Sequence, residues 1–437
     1  MNFEYSQVTS EAMTESLKPD AYVIGTYQVV GEIGDITKYA EWFAIEQSTG
    51  TWVRVPEETD EVREKYVAKV IGAYLIPSYE SALPKELVEK TAILRIAYSV
   101  ENIGYQIPEL LVHTAGNITS GGKVKLLELE FPQSFTRHFQ GPKFGLAGVR
   151  EILGVPKRPL LIPMIKPCSG IPPEVTGKLV YELASGGADI IKDDEILADP
   201  EYCPVYRRVE EGVKALDRAY KETGHKALYA VNITDSPTKM HNKALEAVKA
   251  GANCLMVVSY PVGLAAVQEI AEDSEINVPI LSHTAFSGAI YESPYNGLSS
   301  HVALGKLPRL AGVDIALCYI PDAKLPVLKE RFIRVISTMR SSFYNIKKTF
   351  PFVGGGCYAG MTHYLVSMLG YDFGLGVGGG VHAHPMGATA GAKAFRQAID
   401  AIMDDIPLRE AAASYKELKA AIDEWGIWEE NPLNFKK

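Results

Sequence analysis

The chain has 437 residues, of which 47% are hydrophobic and 22% charged, with a net charge of −9 and five cysteines. This composition excludes a disordered chain, a coiled coil and a fibrous repeat, and no run of roughly 18 apolar residues is present to span a membrane as a helix. The acidic balance without a long basic block argues against nucleic acid as a partner. The cysteines are odd in number and widely spaced, without a CxxC pair. That spacing argues against a disulfide framework or structural zinc and for a reducing cytoplasm. The opening stretch MNFEYSQVTSEAMTESLKPD is acidic and has no apolar core, so no secretory leader is expected.

In chain order, the runs AYVIGTYQVV, TAILRIAYSV and VKLLELEF alternate with a helical stretch at residues 35–47. This predicts an N-terminal α+β domain over residues 1–150. A helix, VREILG, follows, and from Arg158 a unit recurs: short apolar run, polar turn, amphipathic helix. The runs are PLLIPMIK, ADIIKDDE, ALYAVNIT, NCLMVVSY, PILSHT, VDIALCYI, FPFVGGG and FGLGVGGG, eight in all. Helix-like stretches such as PEVTGKLVYELASGG and KMHNKALEAVKAGA lie between them. Eight alternations predict an α/β fold of the (β/α)8 TIM-barrel type over residues 151–437, ending in a helical tail. The rival doubly wound sheet lacks its GxGxxG fingerprint after the first strand.

In such barrels, reacting side chains come from the C-terminal strand ends. Those ends carry Lys166, then Lys192-Asp193-Asp194-Glu195, Asn232 and His283, and then Gly354-Gly355-Gly356 and Gly378-Gly379-Gly380. One lysine beside carboxylates is usually an ion-pair network; several polar clusters at successive strand ends point to a site. Alternation on a strand puts Lys192 and Asp194 on one face. Two carboxylates make a modest Mg²⁺ site, and a buried lysine that adds CO2 becomes a carbamate, supplying a third anionic oxygen. The glycine runs serve tight turns or, after strands seven and eight, a phosphate approached by bare backbone. His382 and His384 have ligand spacing but follow the last strand, and His384 reads as structural at a helix entry. Cys168 reads as a small-residue replacement, and Asp189 and Asp193 as structural.

GGADIIKDDE (residues 186–195) resembles the metal-site motif of the ribulose bisphosphate carboxylase large-subunit family. The resemblance extends over nearly the whole chain: EQSTGTW (46–52), Gly116-Asn117, IKP (165–167), VNIT (231–234), His283 and GGGVHAHPMGATAGA from Gly378 fall in register. It implies Mg²⁺ held by Asp194, Glu195 and Lys192 carrying CO2 as a carbamate, with Lys166 as a proton-transfer residue; Lys166 or the free carbamate oxygen would move the proton, and His283 would orient a substrate hydroxyl or phosphate. It also implies a homodimer with shared sites, in which Glu46, Thr51, Trp52 and Asn117 reach the partner's barrel mouth. Phosphate would be held by Thr51, Trp52, Gly355, Gly356, Gly379, Gly380 and Lys324.

The chain departs from the carboxylases in a consistent direction. Cys168 stands where they carry a second lysine, Thr284 where an arginine follows the fifth-strand histidine, and Leu317 where a sixth-strand histidine stands; Gly354 replaces a serine. This is the pattern of a RuBisCO-like protein, with the enolising metal site kept and the carboxylation residues lost. GPKFG, RPLL, HKALYAVNIT and the GGGVHAHP block most resemble the diketo-methylthiopentyl-phosphate enolases of methionine salvage. Those enolases carry a lysine, their proposed base, where this chain has Asn117, and lack its EQSTGTW segment. The expected substrate is a small phosphorylated keto compound. Isomerisation or β-keto-acid decarboxylation of a sugar phosphate, and non-catalytic binding of a phosphometabolite, are the alternatives.

Overall fold

The computed structural model describes residue 15, residues 17–18, 20–50 and 53–428. Thr51 and Trp52, both expected at the substrate, lie outside the described residues. The chain forms two compact units. One comprises residues up to Gln140 with Phe286–Ala303 and Tyr344–Ile346; the other comprises Gly141–Ala285, Leu304–Phe343 and Lys347 onward.

The first unit is built on strands β1 (Tyr22–Gly31), β2 (Lys69–Ile76), β3 (Lys90–Ser99) and β4 (Lys123–Glu130). These pair antiparallel, with β1 between β3 and β4 and β2 outside β3. Val23, Tyr27 and Val29 alternate inward along β1, the period-two pattern of a half-buried strand. The helix Ile36–Glu46 starts where the Asp35 carboxylate accepts the N–H groups of Thr37 and Lys38, satisfying donors that a helix start leaves open. It buries Ala40, Phe43 and Ala44 at three-to-four spacing.

The second unit holds the eight expected barrel strands. They are β5 (Leu160–Pro163), β6 (Ile190–Lys192), β7 (Leu228–Asn232), β8 (Cys254–Val258) and β9 (Ile280–His283), then, after β10 (Gly297–Leu298), β11 (Ile315–Tyr319), β12 (Phe350–Gly354) and β13 (Gly374–Val377). All pair parallel in the order β5-β13-β12-β11-β9-β8-β7-β6. The sheet closes where Met164 bridges Lys192 and the Ile165 N–H donates to the Lys192 carbonyl. Ile162, Ile190, Ala230, Met256, Leu281, Leu317 and Phe352 fill the interior, joined by Val149 and Leu153 of the Gly145–Leu153 helix. The lumen is therefore a packed core. Helices such as Pro173–Ser185, Val205–Thr223 and Ala388–Met403 follow strands, and the tail helix is Lys416–Trp425. Strand β10 belongs to the first unit, where it pairs parallel with β4.

Candidate active site at the barrel mouth

Strand alternation decides what reaches the rim. Ile190, Ala230 and Leu281 point into the core, so Lys192, Asn232 and His283, two residues further on, share their faces one layer higher. Lys192 is fully buried. Its Nζ donates to the Asp193 carbonyl at 2.7 Å and lies 3.5 Å from Glu195 Oε2. Burial lowers the Lys192 pKa, against the opposing pull of Glu195 and Asp194, and so raises the share of neutral amine.

Lys166 behaves in the opposite way. Its Nζ sits 2.6 Å from Asp194 Oδ2 and 2.8 Å from Cys168 Sγ. Partial burial works against its charge, but the bonds to Asp194 and Cys168 outweigh burial and the net shift is upward. For Asp194, burial pushes upward and Lys166 pulls downward more strongly, so its carboxyl falls below the usual range.

Glu195 Oε2 is 3.2 Å from His283 Nε2, while the Ala285 N–H donates to His283 Nδ1 at 3.1 Å. An Nδ1 that accepts leaves the proton on Nε2, which donates to Glu195. Burial, with the Lys192 charge second, holds the His283 pKa well below its ordinary value, so the ring is neutral. Asn232 Nδ2 reaches the carbonyls of Asp194 and Glu195 at 3.2 and 3.3 Å and fixes that turn. Lys166, Lys192, Asp194, Glu195 and His283 thus form one cluster.

Asp193 turns away from it. Asp193 and Arg208 are both fully buried and pair at 3.1 Å, and the Tyr229 hydroxyl and Asn232 N–H also donate to the carboxylate. Arg208 donates as well to the carbonyls of Cys203 and Ala198. Sequence reading missed Arg208, because an arginine in an amphipathic helix looks like any surface cation. Asp189 is likewise structural, gripped by both terminal nitrogens of Arg158 at 2.7 Å.

The glycine runs meet each other. Gly355 and Gly356 have φ of 101° and 118°, a conformation that favours glycine. A Cβ on Gly380 would lie 2.7 Å from the Cys357 carbonyl, and one on Gly378 would lie 3.0 Å from Lys166 Cε. A Cβ on Gly379 would meet open space. The exposed Lys324 joins this region through its backbone, its N–H donating to the Gly355 carbonyl at 3.0 Å. His382 Nε2 donates to the Met164 carbonyl and His384 Nε2 to that of Glu417.

In the first unit, Asn117 Nδ2 donates to Glu46 Oε1 at 3.3 Å. The Gln47 amide ties the two segments together by donating to the carbonyls of Val112 and His113 and accepting from the Ile118 N–H.

Among the described residues, no group of three or more His, Cys, Asp and Glu side chains is set to hold a metal ion. The donor set at the mouth still fits one. Asp194 and Glu195 present carboxylates beside Lys192, and a carbamate on that amine would be the third oxygen donor. Lys166, paired with Asp194 at 2.6 Å, now offsets charge that a divalent cation would neutralise.

An α+β unit preceding a parallel eight-stranded barrel, with lysines and carboxylates converging at its C-terminal rim, defines a family of TIM-barrel proteins. Residues 12–135 match the N-terminal domain, and residues 145–425 the catalytic domain, of the ribulose bisphosphate carboxylase large chain. The chain belongs to that family. It is 48% identical over 402 residues, 92% of each chain, to a ribulose bisphosphate carboxylase-like protein of Archaeoglobus fulgidus. It is 38% identical over 410 residues, 93% of this chain and 98% of the other, to the 2,3-diketo-5-methylthiopentyl-1-phosphate enolase of Geobacillus kaustophilus. Its fold matches the crystal structure of a rubisco-like protein (MtnW) from Alicyclobacillus acidocaldarius with a TM-score of 0.86 and 33% identity, covering 93% of this chain and 100% of that one.

Proposed function

We propose that this RuBisCO-like chain is an enzyme that enolises a small phosphorylated keto compound and does not carboxylate ribulose bisphosphate. The nearest named activity is that of the 2,3-diketo-5-methylthiopentyl-1-phosphate enolases. The observation that carries the reading is the cluster in which Lys166 pairs with Asp194 while buried Lys192 lies beside Glu195 and neutral His283.

Mg²⁺, held by Asp194, Glu195 and carbamylated Lys192, would supply positive charge where an enolate oxygen develops. Lys166 Nζ moves the proton, and its pairing with Asp194 keeps it protonated until that carboxylate is engaged elsewhere. His283 Nε2–H orients a substrate oxygen. The backbone of Gly355, Gly356, Gly379 and Gly380, with Lys324, holds the phosphate. Glu46, Thr51, Trp52 and Asn117 complete the site from a second copy in a homodimer. The five cysteines, odd in number, widely spaced and without a CxxC pair, support a reducing, cytoplasmic location. Asn117, which has no base to offer, favours a second reading in which the same chemistry isomerises or decarboxylates a sugar phosphate.

The test is deuterium incorporation from D2O into keto monophosphates, followed by NMR in the presence of Mg²⁺ and bicarbonate. Exchange is expected for at least one of them and is abolished in Lys166→Met. No exchange with any of them would leave a non-catalytic binder as the answer.

A further inference from the structure

We infer that Arg208 is a positioning residue for the site: by gripping Asp193 and the loop after β6 from behind, it aims Lys192, Asp194 and Glu195 at the barrel mouth. The inference deepens the function proposed above and rests on its metal-assisted reading.

Strand β6 is only three residues long, and its ladder with β7 ends at the pair Lys192 and Ala230. The charged run Lys192-Asp193-Asp194-Glu195 begins where that ladder stops, so sheet pairing says little about which carboxylate enters the mouth. Alternation makes the choice all-or-none, since a slip of one residue would bring Asp193 in and turn Lys192 and Asp194 out.

Asp193 is held against that slip. Its N–H donates to the Ala230 carbonyl at 3.1 Å. Its carboxylate accepts Arg208 Nε at 3.1 Å, the Asn232 N–H at 2.9 Å and the Tyr229 hydroxyl. From the Val205–Thr223 helix, Arg208 also donates to the carbonyls of Cys203, of Ala198 at 2.6 Å and of Asn232 at 3.2 Å. One fully buried guanidinium therefore joins the end of β6, the end of β7 and the loop between β6 and its own helix. A planar fork of donors can do this, and a single ammonium cannot.

The grip reaches the mouth through the main chain. Lys192 Nζ donates to the Asp193 carbonyl at 2.7 Å. Asn232, whose N–H and carbonyl are both tied to the Asp193–Arg208 pair, uses Nδ2 to hold the carbonyls of Asp194 and Glu195. Without Arg208, Asp193 would be a buried carboxylate lacking its counter-ion, in competition with Asp194 and Glu195 for any cation. Arg158 supplies the contrast. It grips Asp189 with both terminal nitrogens at 2.7 Å, a pair of the same kind at the opposite, N-terminal end of β6, away from the mouth.

The experiment titrates Mn²⁺ by EPR and follows the Lys192 carbamate by NMR with Mg²⁺ and ¹³C-bicarbonate, alongside denaturant midpoints. It uses the wild type, Arg208→Lys, Arg208→Met and the matched controls Arg158→Lys and Arg158→Met. Midpoints are expected to fall for both arginines, because each substitution breaks a buried pair. Mn²⁺ affinity falls about tenfold or more in the Arg208 variants, and the carbamate signal with it, while the Arg158 variants stay within about twofold of the wild type. If neither Arg208 variant folds, Tyr229→Phe decides the matter: it removes one donor from Asp193, so weaker Mn²⁺ binding supports the inference and unchanged binding overturns it. Folded Arg208 variants that bind Mn²⁺ like the wild type overturn it, as does an equal loss in the Arg158 variants or a wild type that binds no Mn²⁺. The enolisation reading fails separately, as missing deuterium exchange, and leaves Mn²⁺ binding measurable.

Discussion

At the scale of single residues, two lysines less than one side chain's reach from the same carboxylates have been driven in opposite directions. Lys166 is half-exposed and gains a direct partner in Asp194, so it holds its proton. Lys192 is fully enclosed and its nearest bond is to a backbone carbonyl, so burial dominates and the amine is pushed toward neutrality. Only a neutral amine adds CO2. Activity is therefore expected to require Mg²⁺ and pre-incubation with CO2, and Lys192→Ala should lose turnover altogether. Equal rates in carefully CO2-free buffer would refute the carbamate. Both lysines and both carboxylates were legible in the sequence as polar residues ending apolar runs. Arg208 was not, because its partner Asp193 lies on another element.

At the scale of elements, the Lys192 motif depends on how closely its flanking helices approach. Gly186 caps the Pro173–Ser185 helix, and a Cβ there would lie 2.5 Å from Ala392 Cβ and 2.7 Å from the Thr389 carbonyl on the Ala388–Met403 helix. Gly186→Ala must push those helices apart, at a cost of about 1–3 kcal/mol. Gly34→Ala, where an added Cβ meets nothing within 4 Å, is the control. Denaturant midpoints should fall for the first and barely move for the second. All eight barrel runs became strands because each is a short apolar segment between a polar turn and a helix, a pattern written into local sequence. Strand β2 went unread: KVIGAYLI is buried only over its first half and ends in exposed Tyr74 and Ile76, so its burial does not alternate. The two-residue β10 is too short to carry any pattern.

For the whole molecule, Asp314 acts as a knot at the start of β11. Its Oδ1 accepts the Phe144 and Gly145 N–H groups and its Oδ2 accepts that of Ile280, joining the helix entry to β9. Burial raises its carboxyl to about 6, although those three donors pull it down. A folded-state pKa above the unfolded value means that the native protein binds the extra proton. The stabilisation is therefore complete below the ordinary carboxyl range and is lost as pH rises through about 6. The contribution is of order 3 kcal/mol, and Asp314→Asn should flatten the fall of unfolding free energy as pH rises from about 4 to about 7. If the variant shows the same pH slope as the wild type, Asp314 is not the titrating group. A second prediction concerns assembly. Glu46→Ala and Lys192→Ala, each inactive alone, should regain activity when mixed, because a mixed dimer with shared sites contains one intact site. Demonstrated subunit exchange without recovery would rule out sharing.

The sequence by itself determined the barrel, its strand ends and the family, because strand periodicity, turn glycines and contiguous motifs such as GGADIIKDDE are local properties of the chain. A division at residue 150 could not register the return of Phe286–Ala303 to the N-terminal unit, where β10 pairs with β4. Only the tertiary structure decided which lysine keeps its proton, which nitrogen of His283 carries one, and that Asp193 faces Arg208 and not the mouth. Each of those outcomes is set by burial and by partners far away in the chain, and charge in a protein interior follows its surroundings in space.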